Sequence, residues 1–158
     1  MKSELDVIIH NLQECFDGKP WYGISVLEKL QVIPWQIVNE QTYSDKSIAV
    51  LVQHMLNWRI FVLKKLEGDK TFNIVIDGEN DWDAVLVNSE EEWQNLIRSL
   101  QSSQNKLLQS LSKYSDELLQ QQVPGKAYIF GPILASISQH DVYHLGQIAM
   151  LNAMHQAN

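Results

Sequence analysis

A single cysteine, Cys15, stands in the 158-residue chain. That excludes an internal disulfide framework and fits a reducing compartment. Cys15 falls in apolar register with Leu5, Ile8 and Leu12, which is the pattern of a packed core thiol and not of a nucleophile. Cationic side chains are also scarce. Lys and Arg number 12 against 19 Asp and Glu, the formal net charge is -7, and no basic stripe occurs, which argues against a nucleic-acid partner. No apolar run approaches the roughly 18 residues of a membrane span. The opening Met1-Lys2-Ser3-Glu4-Leu5-Asp6 lacks the basic-then-apolar layout of a signal peptide, so the expectation is a cytoplasmic protein with no membrane partner. Internal repeats, low-complexity tracts and linker-like stretches are missing, and 1–158 is expected to form one domain.

What the chain does have is helical periodicity. Leu5, Ile8, Leu12 and Phe16 predict a first helix over about Ser3 to Phe16, stopped by Asp17-Gly18-Lys19-Pro20. A short helix near Ser25 to Ile33 ends at Pro34. A second long helix is expected from about Lys46 to Glu67, capped by Ser44 or Asp45 and ended by Gly68 in a left-handed turn. Leu51, His54, Trp58, Phe61 and Val62 share one of its faces. A third begins at Asn88 or Ser89, where Ser89 and Glu92 read as a capping box and Glu90, Glu91 and Glu92 favour a helix N-terminus. Its stripe runs from Trp93 to Tyr114. The last runs from near Phe130, with Pro132 in its first turn, to about Met154, and its inward line includes Ile137, His140, His144 and Ile148. The connection Asp69 to Val87 is long for a helical bundle. Its alternating Phe72, Ile74 and Ile76 allow a short strand or hairpin, and it reads as a packed surface loop or a lid.

His140 and His144 lie four residues apart, one above the other on a helix. Two imidazoles so placed can ligate one metal ion. Both interrupt an apolar stripe, as does His54 in the second helix. Three inward histidines either share a metal or are three separate core residues bonded to backbone or water. His10 falls on the rim of the first helix and His155 near the C-terminus. Asp141 lies about 100° round the helix from His140, as a supporting or surface acid. The acidic segment Asp77-Gly78-Glu79-Asn80-Asp81-Trp82-Asp83 fails as an EF-hand, because the sixth position is Trp82 and the twelfth Asn88. Of the five tryptophans, Trp21 and Trp58 are the candidates to line a cleft.

Three stretches resemble the DinB-like superfamily, which includes the YfiT-type metal-dependent hydrolases. They are Gly18-Lys19-Pro20-Trp21-Tyr22-Gly23-Ile24-Ser25, then Ser47-Ile48 through His54 to Trp58-Arg59, and Gln139-His140-Asp141-Val142-Tyr143-His144-Leu145-Gly146-Gln147-Ile148. The likeness spans nearly the whole chain in order, and the last stretch is the most specific. It implies an all-α, up-down-down-up four-helix bundle, often dimeric, with one divalent metal per subunit held by His54, His140 and His144. Members of the family are assigned as thiol S-transferases, including a mycothiol-dependent isomerase, and as hydrolases.

Three neutral imidazoles retain the full charge of a divalent ion and leave a coordination position open, the composition of a reactive centre. Zinc or nickel suits nitrogen ligands better than magnesium or calcium. A low-molecular-weight thiol and an unidentified small-molecule substrate are the expected partners of an enzyme. Asn57 and Gln147 lie one turn from ligands, and Tyr143 lies one turn from His140. Each of the three either orients substrate or supports a ligand. Two readings stand: a metal-dependent hydrolase or thiol transferase, or a non-catalytic metal-binding stress or interaction protein.

Overall fold

The computed structural model describes residues 3–157. Those residues form five α-helices and no strand, with only an isolated bridge between Gln122 and Ile129. The helices are α1 (Glu4–Asp17), α2 (Val26–Gln31), α3 (Ile48–Leu66), α4 (Glu90–Leu111) and α5 (Phe130–Gln156), with single 3-10 turns at Trp35–Ile37 and Asp116–Gln120. None is long and apolar enough to cross a membrane.

Local chemistry sets most of the ends. Ser3 and Asp6 close a capping box on α1, and the Asp116 carboxylate accepts from the free amides of Glu4 and Leu5 at 3.1 and 2.9 Å. Ser47, not Ser44 or Asp45, caps α3 by accepting from the Val50 amide at 3.3 Å. All three residues are good caps, but only Ser47 stands immediately before the apolar run. Gly68 ends α3 with φ 88, a conformation open to glycine without steric cost. Ser89 accepts from the Glu92 amide at 3.2 Å. The return bond of the expected box is displaced by one residue, from the Asn88 amide to Glu92 Oε2 at 2.7 Å. Helix α4 stops at Leu111, short of Tyr114, which is exposed.

The connection 69–87 holds no strand: it is a series of turns, with Asp77 at φ 61 and the Gly78 amide bonded to the Val75 carbonyl at 2.8 Å. Among the described residues no neighbouring segment offers Phe72, Ile74 and Ile76 a ladder, so the alternation buries only Ile74, while Ile76 remains 74% exposed.

The core divides in two. One cluster takes Cys15 and Phe16 from the end of α1, Leu51 to Leu56 from the first half of α3, Trp93 to Leu100 from α4, and Leu145 to Leu151 from the second half of α5. The other takes Leu5, Ile8 and Leu12, then Phe61 and Val62, Leu107 and Leu111, and Leu134 and Ile137. A polar layer lies between them. Gln104 donates to the Leu12 carbonyl at 2.9 Å, Arg59 Nε donates to Gln104 Oε1 at 3.2 Å, and Arg59 Nη1 donates to Asp141 Oδ1 at 2.9 Å. This chain of bonds crosses α1, α4, α3 and α5, and it satisfies polar groups that would be costly to bury alone.

Candidate metal centre

Helix α3 brings His54 into this region, and α5 brings His140 and His144. The three ring Nε2 atoms converge. His140 Nε2 is 3.0 Å from His54 Nε2 and 3.0 Å from His144 Nε2. His54 and His144 are buried at 5% and 3% exposure. Three nitrogens each about 2.0–2.1 Å from one tetrahedral ion stand about 3.4 Å apart, close to these two separations, and all three ligand atoms lie within 4.8 Å of one another. This is the one such cluster of histidine, cysteine and carboxylate groups among the described residues.

The opposite ring nitrogens decide the tautomers. His54 Nδ1 lies 2.9 Å from the Asp81 carbonyl oxygen and 3.0 Å from Asp81 Oδ1. Both are acceptors, so Nδ1 carries the proton and Nε2 keeps its lone pair. His144 Nδ1 donates to Gln147 Oε1 at 2.6 Å, which leaves its Nε2 as a lone pair too. His140 Nε2 faces both lone pairs and carries one proton at most. One proton on His140 Nε2 can make a linear bond to only one of the two facing lone pairs, whereas a cation at the meeting point is bound by all three.

Gaining protons is not an easy way out. Burial, then the neighbouring His144, His54 and Arg59 charges, pulls His140 down to about 3. His144 is pulled down to about 4 chiefly by burial, against the bond to Gln147. At neutral pH both rings are in the deprotonated form that ligates metal.

The remaining candidates separate clearly. Gln147 orients His144. Trp58 donates from Nε1 to Asp81 Oδ1 at 2.9 Å. Asn57 donates to the Asn80 carbonyl at 3.3 Å and to Asp83 Oδ2 at 3.0 Å, fastening α3 to the connection. Tyr143 is 65% exposed, with its ring edge-on to His144 at 5.0 Å. Asp141 is fully buried, and its carboxylate is bonded to Arg59. Its angular offset from His140 turns it toward α3, not to solvent. Trp21 is not brought to the histidines: it is 95% exposed, beside Tyr22, His10 and Cys15 on another groove.

Asp81 and Trp82 belong to the centre, and sequence reasoning did not assign them to it. The Trp82 ring stacks flat on His54, 3.8 Å between centroids at 4°. The connection is thus packed over one side of the centre. The signal was the run of acids from Asp77 to Asp83, tested for calcium when one of its members holds a histidine. The other sides open: His140 lines an apolar cleft between α3 and α5, and His144 lines a polar one with Asp45, Lys46 and Glu79.

Comparison with protein-family models, with curated proteins and with solved structures finds no match.

Proposed function

We propose that this chain is a DinB-like metal-dependent enzyme, a hydrolase or thiol S-transferase, that holds one zinc or nickel ion through Nε2 of His54, His140 and His144. One observation carries the reading: His140 Nε2 stands 3.0 Å from Nε2 of both His54 and His144, whose far nitrogens face acceptors, so a single proton on His140 makes a linear bond to only one of them. The order of the three motif stretches supports the family. The two core clusters support an up-down-down-up bundle, since the end of α1 meets the beginnings of α3 and α4 and the end of α5. The family likeness also favours a cytoplasmic homodimer acting on a small molecule.

When bound, the ion supplies Lewis acidity toward an oxygen or sulfur donor. The chain's own residues do the rest. Asp81 and Gln147 fix the tautomers and ring planes of His54 and His144. Trp58 and Trp82 shield the ligand ring of His54 from water. Tyr143, exposed between the two clefts, is placed to donate a hydrogen bond to a substrate. Access to His140 and His144 from clefts favours the catalytic reading over a non-catalytic metal-binding protein, which would be sealed.

Elemental analysis of untagged protein tests the centre. About one divalent ion per subunit is expected, and equal metal in wild type and a His54→Ala, His140→Ala, His144→Ala variant would sink the reading. In the cobalt(II) form, a charge-transfer band on adding a low-molecular-weight thiol would favour the transferase branch. Spectra indifferent to every added anion and thiol would favour the non-catalytic protein.

A further inference from the structure

We propose that the cleft between α3 and α5 selects a neutral, hydrophobic small molecule and presents it to the His140 side of the centre. The inference deepens the enzyme reading and rests on it for the reaction, though not for the binding. The cleft has a volume of about 430 Å³, within the range of small-molecule sites. Its walls are Met55, Trp58, Val62, Ile133, Ile137 and Tyr143, with the His140 ring among them.

The charge inventory decides the ligand class. Among the described residues no carboxylate or lysine lines the cleft. The charged side chain described there, Arg59, has its guanidinium committed to Asp141 and Gln104. Away from the ion, an ionic ligand would lose its hydration there and meet only neutral polar groups, Ser136, Gln139 and Tyr143, whereas an apolar body gains by leaving water. The cleft on the His144 side is the opposite, lined by Asp45, Lys46, Asp77 and Glu79. Tyr143 borders both. The two faces of the centre therefore divide the work: the hydrophobic part of a substrate enters beside His140, and polar groups face the His144 side.

The test uses N-phenyl-1-naphthylamine, an uncharged fluorophore that brightens in apolar sites, titrated into full-length protein with EDTA present so that binding does not depend on metal. Saturable binding near one equivalent is expected. Ile133→Glu, which puts a charge in the wall, and Ser136→Trp, at an exposed position on the rim, should each weaken it ten-fold or more. 1-Naphthalenemethanol should displace the probe at least ten-fold better than 1-naphthoate. Failure of the probe to bind, binding untouched by both variants, or equal displacement by the anion overturns the proposal. Zinc stoichiometry measured on the same preparations before EDTA is added reports separately on the metal centre, so either reading can fall without the other.

Discussion

Arg59 on α3 and Asp141 on α5 form a bidentate ion pair sealed from solvent, their side chains 1% and 0% exposed. The residue before Asp141 is His140, so the pair sets how far α5 slides along α3, and with it where His140 meets His54. Burial pushes the Asp141 carboxyl up, and the guanidinium opposes this.

Cutting the pair from one side leaves the other charge stranded. Arg59→Met should cost about 3–5 kcal/mol of stability. Arg59→Met with Asp141→Leu should recover much of that, because both charges are then gone. Urea unfolding of the two variants measures the difference. A double variant no more stable than the single would show that the pair is not what the single variant loses.

Asp81 is expected to act through His54. Asp81→Asn keeps an acceptor for Trp58 but removes the negative charge beside His54 Nδ1. Such partners change metal affinity by about 10–100-fold. Competition against a chelator of known affinity reads the change. Affinity equal to wild type would reduce Asp81 to a loop contact.

Metal should stabilise the protein without making the fold. At zinc concentrations a hundred-fold over Kd the gain is about 2.7 kcal/mol, or roughly 5–11 °C in Tm for a domain of this size. Chelation should remove that increment and leave the helical circular dichroism intact, because the two apolar clusters persist. Loss of helicity with the metal would contradict this.

The thiol of Cys15 is pushed up to about 11, first by burial and then by the Asp141 charge. At pH 8 about one molecule in a thousand carries the thiolate. Iodoacetamide should leave the folded protein unmodified for hours at pH 8 and label it quickly in urea. The sign of the linked stability follows: the unfolded chain releases this proton first, so the contribution is complete below the ordinary 9.0 and fades as pH rises toward 11. Cys15→Ala should flatten that fall in alkaline unfolding curves. Rapid labelling of native protein would show the thiol to be accessible.

How far each feature could be read depended on how local its physics is. Ser89, Gly68 and the spacing of His140 and His144 are decided within a turn or two, and His54 is marked by the apolar stripe it interrupts. Asp81 is 27 residues from the ring it holds, and nothing in its neighbours says that the connection folds back over α3. Asp141 was expected as a supporting or surface acid from its offset on the helix. But α5 is packed by other elements on more than one side, so a position turned away from the histidines is still interior. Phe72, Ile74 and Ile76 have the alternation of a strand, which is necessary but not sufficient without a partner.

The ligand atoms ride on long helices, while the groups that set the tautomer of His54 and cover its ring, Asp81 and Trp82, come from the irregular connection. Frame and adjustment are thus separable parts. Changes confined to Asp81 and Trp82 would retune the affinity and access of the centre, while the connection's Ile74 and Val87 stay as part of the two cores.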